Sequence, residues 1–237
     1  MIPTQKEVRI AMIEPRPTVV IFDVNETLSD QSSLRDRLVE VGAPAELLPE
    51  WFSGILRDGM ALTAAGGYAD FADLARDGLR ALLPARAGLT PSDGLIDQVV
   101  AGFHRLDVHP DVAEGVRLLH GSGIRLITMT NGSTTITEAL LDRAGLREYF
   151  ELHLDVRGPR RWKPAPAAYG YALARAGVAA GDALLVAVHP WDVDGALRAG
   201  LRGAWIRRGQ AATAYPKAMV APTITADDLV ELGAMFT

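Results

Sequence analysis

The run Val19-Val20-Ile21-Phe22, ending at Asp23, constrains this chain more than any other stretch. Consecutive β-branched and aromatic residues read as a buried strand, and the strand stops at a carboxylate. In open α/β sheets ligands bind just beyond the carboxyl ends of the strands, which places Asp23 where chemistry occurs. Taken alone, such an aspartate could equally cap the following turn. Later strand ends decide between the two readings.

From Asp107-Val108-His109-Pro110 onward, strands and helices alternate. The expected helices are 111–120, 134–144 ending at Gly145, 164–176 with proline in the first turn and Gly177 after it, and 192–199 before Gly200. Between them lie expected strands at 125–129, 152–156, 183–188 and, last, 203–206. This order predicts an α/β fold with a doubly wound parallel sheet.

Residues 31–106 have a different character. Segments 47–62, 68–83 and 95–106 carry apolar residues at three- and four-residue spacing, with loops at 63–67 and 84–91, and 29–41 reads as a helix start. They predict a helical cap inserted after the first strand, so the expected core is 1–30 with 107–237. Residues 1–17 read as an arm.

Composition narrows the class. With 237 residues the chain suits one large domain or two modest ones. There are 24 basic and 29 acidic residues, a net charge of −5, and no long basic run. A nucleic acid or anionic membrane is therefore not expected as partner. The absence of cysteine excludes disulfides, thiolate metal sites and a cysteine nucleophile. No signal-peptide core and no apolar run long enough to span a bilayer are evident, and a cytoplasmic location is expected.

Asp23, Thr130 with Asn131, Lys163 and Asp192 fall at or just beyond expected strand ends. In a parallel sheet those ends share one edge, so a nucleophile, a hydroxyl, an amide, a cation and a second carboxylate converge. An ammonium beside a carboxylate keeps it ionised and nucleophilic. Hydroxyl and amide donors hold an anion or stabilise developing charge.

In this order Phe22-Asp23-x-x-x-Thr27-Leu28, Leu126-Ile127-Thr128-Met129-Thr130-Asn131-Gly132-Ser133, Trp162-Lys163-Pro164 and Trp191-Asp192 resemble the haloacid dehalogenase superfamily, most narrowly its L-2-haloacid (type II) branch. The resemblance covers nearly the whole chain. It implies that Asp23 displaces a leaving group from a substrate carbon and forms an ester, which water then hydrolyses. It further implies that Thr130 and Asn131 hold a small carboxylate substrate, that Lys163 steadies Asp23, and that Asp192 orients Lys163 and the attacking water. Asn25, Thr27, Phe52, Phe71, Tyr169 and Trp191 are then substrate-lining positions. Related enzymes are often homodimers and need no cofactor.

The superfamily's phosphatases are the alternative. They carry a second aspartate two residues after the nucleophile, where this chain has Asn25, and only Asp192 remains acidic in the fourth motif. Two carboxylates and a backbone carbonyl would hold magnesium only weakly, and phosphoryl transfer leans on that ion. No metal site is assigned. A third reading is a binder of acidic metabolites with little turnover.

The chain also departs from the dehalogenase pattern. Asn25-Glu26 stand where Tyr-Gly is usual. Phe52 follows Trp51 where a halide-receiving arginine is usual, and Arg57 on the same helix is either its replacement or a solvated surface residue. Ala187 and His189 replace a serine and an asparagine. His189 is then either a structural hydrogen-bonding residue or a catalytic group that activates water or, with Trp191, donates to the departing halide. Trp191 has packing under the cap as its simpler role, and Glu26 an encounter with a helix N-terminus.

Overall fold

The computed structural model describes residues 15–208 and 214–237, so most of the expected arm lies outside them. In chain order the elements are β1 (Val19–Phe22), β2 (Ser29–Asp30), α1 (Ser33–Glu40), α2 (Leu47–Ala64), α3 (Phe71–Ala87), α4 (Asp93–Val100), β3 (Asp107–Val108), α5 (Val112–Gly121), β4 (Arg125–Thr130), α6 (Thr134–Arg143), β5 (Leu152–Asp155), α7 (Pro166–Ala176), β6 (Ala183–Ala187), α8 (Pro190–Arg198), β7 (Arg202–Ile206), β8 (Ile224–Ala226) and α9 (Leu229–Ala234).

Strands β1 and β4–β8 form one parallel sheet in the order β5-β4-β1-β6-β7-β8. Every residue of β1 and β6 is buried, the pattern of strands covered by helices on both faces. The chain steps outward from β1 through β4 to β5, then returns to β6 on the other side of β1. The winding reverses there, which opens a crevice at the carboxyl end of β1. The doubly wound core follows the alternation seen in the sequence.

The cap helices α1–α4 follow β1. The chain enters and leaves this region through β2 and β3, which pair antiparallel with Ser29 opposite Val108 and Asp30 opposite Asp107. Two crossing points side by side are what an insertion requires. Trp51 Nε1 donates to Ala75 O at 2.9 Å, tying α2 to α3. Phe52, Phe71 and Phe103 form an aromatic cluster reaching Trp162, on which Phe71 stacks with centroids 6.2 Å apart.

Several boundaries differ from expectation. The segment 29–41 splits into β2 and α1, because Ser29 pairs with a residue distant in sequence. Pro84 lies within α3 rather than opening a loop; it is exposed, and water can satisfy the carbonyl that loses its partner. The helix expected over 95–106 ends at Val100 and continues as a 3₁₀ turn, Ala101–Arg105. Strand β7 is not the last, since β8 and α9 follow. Helix α8 starts at Pro190, which places Asp192 in its first turn.

Candidate active site

Asp23 is held at the end of β1 by its own backbone, whose N–H donates to Val186 O at 3.0 Å and continues the β1–β6 ladder. The residue is 3% exposed. Oδ1 accepts from Lys163 Nζ at 2.9 Å, and Oδ2 accepts from Thr27 Oγ1 at 2.7 Å. The Thr27 hydroxyl in turn accepts from Val188 N at 3.1 Å, so it links the loop after β1 to the end of β6.

Lys163 is fully buried and lies between two carboxylates, donating also to Asp192 Oδ2 at 2.6 Å. Asp192 Oδ1 accepts from Tyr169 OH at 2.7 Å. Burial alone would raise the Asp23 pKa; the Lys163 charge and the His189 contact outweigh it and hold the carboxyl well below its usual range. Burial would lower the Lys163 pKa, but Asp192 and Asp23 more than compensate and raise it. Burial and the neighbouring Asp23 charge raise that of Asp192, against Lys163. Tyr169 is raised well above its ordinary value, first by burial and then by Asp192, and so keeps its proton.

His189 occupies the turn between β6 and α8. Its Nδ1 lies 3.2 Å from Asp23 Oδ2 and its Nε2 lies 2.8 Å from Glu26 Oε2. Trp191 stacks on its ring, with centroids 5.0 Å apart. Burial would lower the imidazole pKa, but the hydrogen bonds to Asp23 and Glu26 push it up to about 9. The expected encounter of Glu26 with a helix N-terminus gives way to this contact with an imidazole.

Of the sequence-derived candidates, Asp23, Thr27, Lys163, Tyr169, His189 and Asp192 form one hydrogen-bonded network, with Trp191 beside it. Thr130 and Asn131 stand at the same edge with their side chains turned to the main chain. Thr130 Oγ1 accepts from Gly132 N at 2.9 Å. Asn131 Oδ1 accepts from Lys163 N at 2.8 Å while its Nδ2 donates to Lys163 O at 3.2 Å. This amide therefore fixes the backbone of Lys163 instead of standing free for a substrate carboxylate. Asn25 is buried beside Gly132, and Phe52 and Phe71 are buried in the aromatic cluster. Arg57 pairs with Asp58 on the surface and is 74% exposed.

Among the described residues no group of three or more His, Cys, Asp or Glu side chains has a metal-holding arrangement, and an ammonium sits between Asp23 and Asp192. Nor, among them, is any helix long and apolar enough to cross a membrane.

A strand-end aspartate at the switch point of a parallel sheet, beneath an inserted helical cap, defines a capped α/β hydrolase. The chain matches the haloacid dehalogenase-like hydrolases over residues 17–200 and belongs to that family of enzymes. (S)-2-Haloacid dehalogenase 4A of Burkholderia cepacia is 30% identical over 190 residues, 79% of this chain and 82% of the relative. An L-2-haloacid dehalogenase of Xanthobacter autotrophicus, solved with chloropropionic acid covalently bound, superposes with a TM-score of 0.83 at 25% identity, covering 92% of this chain and 98% of that one. Phosphoglycolate phosphatase 1 of Pseudomonas aeruginosa is 27% identical over 225 residues, 91% of this chain and 78% of the relative.

Proposed function

We propose that the protein hydrolyses the carbon–halogen bond of a small 2-haloacid through an ester on Asp23, without a metal. The observation that carries this reading is the position of Asp23, a buried carboxylate kept ionised by Lys163 at 2.9 Å. Such a carboxylate lacks the hydration that would blunt it as a nucleophile. The dehalogenase relatives, one with chloropropionic acid covalently bound, support the same chemistry.

In this reading an Asp23 oxygen attacks the substrate carbon from the side opposite the halogen, the carbon–halogen bond breaks and halide departs. Water then adds to the ester carbonyl carbon, and the 2-hydroxy acid leaves as Asp23 is regenerated. Lys163 keeps Asp23 charged, Asp192 and Tyr169 hold Lys163 in line, and Asn131 fixes the Lys163 backbone. Residues 31–106 act as the cap that excludes bulk water, over a core of 1–30 and 107–237.

The test is release of halide from chloro-, bromo- and fluoroacetate and 2-chloropropionate, with and without EDTA. Release that survives EDTA and disappears in Asp23→Asn is the expected result. The phosphatase relative makes p-nitrophenyl phosphate with magnesium the necessary second assay. Magnesium-dependent phosphate release without halide release overturns the proposal.

A further inference from the structure

Glu26 and His189 form a dyad aimed at the nucleophile. Each ring nitrogen of His189 meets a carboxylate oxygen, at 3.2 Å on the Asp23 side and 2.8 Å on the Glu26 side. Glu26 reaches this position from a left-handed backbone, φ 60°, which is unfavourable for a residue with a Cβ. Two contacts hold that backbone, Glu26 N to Ser29 Oγ at 3.3 Å and His109 Nε2 to Glu26 O at 3.1 Å. Two hydrogen bonds, one given by the Glu26 N–H and one accepted by its carbonyl, thus stabilise a strained turn that delivers a carboxylate to one imidazole nitrogen.

Asp192 is poorly placed to activate water. It is fully buried, Oδ2 accepts from Lys163 at 2.6 Å and Oδ1 from Tyr169 at 2.7 Å. Loss of its charge would strand a buried ammonium. His189 is 13% exposed at its side chain and already touches the oxygen that becomes part of the ester group.

We propose that His189 is the general base for hydrolysis of the Asp23 ester and that Glu26 is its positioning residue, fixing the ring and accepting Nε2–H. The proposal rests on the haloacid reading above. In the resting enzyme the imidazolium donates to both carboxylates. Once Asp23 is esterified its charge is gone, and the Nδ1 proton is released. Water then adds to Cγ of Asp23 while one of its protons passes to Nδ1. Collapse breaks the bond between Cγ and the alkoxide oxygen, and the Nδ1 proton goes to that oxygen, completing the hydroxy acid. The Asp23 carboxylic acid returns its own proton to Nδ1, which restores the starting pair. The sum is 2-haloacid and water in, 2-hydroxy acid, halide and one proton out.

Glu26 lines a cavity of about 510 Å³ that also includes His189, His109 and Arg208, and its side chain is 45% exposed. The dyad therefore connects a buried ester to a solvent-reaching space. The charges acting on His189 are Asp23 from the end of β1, Glu26 from the next turn, Lys163 beyond Asp23, and Arg208 and His109 around the cavity; Trp191 covers one ring face.

The test uses single turnovers of 2-chloropropionate by the full-length chain, with the esterified protein followed by intact mass and halide measured separately. In His189→Gln one equivalent of halide is expected, followed by accumulation of ester that hydrolyses at least about 100-fold more slowly. In Glu26→Gln ester hydrolysis is expected to fall about tenfold at its optimum. The ascending limb of its pH profile should also move to lower pH, because the imidazole has lost an anionic partner. A merely structural role for Glu26 would not move that limb. Ester hydrolysis at wild-type rates with an unmoved limb in both variants overturns the dyad while leaving the dehalogenase reading intact. A wild-type protein that releases no halide sinks both.

Discussion

Lys163 Nζ lies 2.6 Å from Asp192 Oδ2, and neither side chain has any exposed surface. The ammonium has no water to fall back on, and the same is true of Asp192. Removing the cation while keeping the stem, as in Lys163→Met, leaves two like charges buried together. A loss of about 3–5 kcal/mol in unfolding free energy is expected, since breaking a buried pair costs far more than the pair contributes. Urea denaturation followed by circular dichroism checks this, and halide release should fall to background.

Gly59 packs flat on the indole of Trp162. A Cβ at position 59 would sit 2.4 Å from Trp162 Cδ2 and Cε3. The same tryptophan donates its backbone N–H to Thr63 Oγ1 and its Nε1 to Ala69 O, both at 3.0 Å. Gly59→Ala should therefore destabilise by about 1–3 kcal/mol through overpacking. It should also lower the rate of ester formation, because Trp162 immediately precedes Lys163. Thermal denaturation and a halide burst measure the two effects separately.

His189 gives the fold a pH signature. Its folded pKa of about 9 exceeds the ordinary 6.5. Its stabilisation is therefore complete below pH 6.5 and is lost as pH rises through 9, by at most about 3 kcal/mol. Asp23 works in the opposite window, its contribution being present above the ordinary 3.8 and lost in acid. Unfolding free energies at pH 6 and pH 9.5 should differ in the wild type and much less in His189→Asn.

Arg57 separates two explanations for the missing halide-binding arginine. It is paired with its neighbour Asp58 at 2.8 Å on the surface. Arg57→Ala should leave both stability and halide release unchanged, as exposed ion pairs usually do. A selective rise in KM for haloacids in this variant would instead place Arg57 in the substrate path.

The core was legible because β1, β4 and β6 are apolar runs bounded by turn residues, and a parallel sheet aligns their ends. Asp23, Lys163 and Asp192 could therefore be placed at one edge from strand order alone. Side-chain direction was not legible in the same way. Asn131 follows a strand end like the other candidates, yet its amide closes on the backbone of Lys163, a pairing that depends on the turn between Arg161 and Pro166. Glu26 lies in the opening motif, but its contact with His189 requires a left-handed φ that only glycine advertises in a sequence. The segment β8–α9 escaped notice because β8 has three residues and alternates buried and exposed positions.

The conformation of Glu26 sets two properties of the turn against each other. The turn has the left-handed shape that glycine adopts most readily. A side chain at this position costs about 1–2 kcal/mol relative to an unstrained backbone. Glu26→Gly would relax the loop while removing the carboxylate beside His189, so this one side chain sets the comfort of the turn against the ion pair it makes.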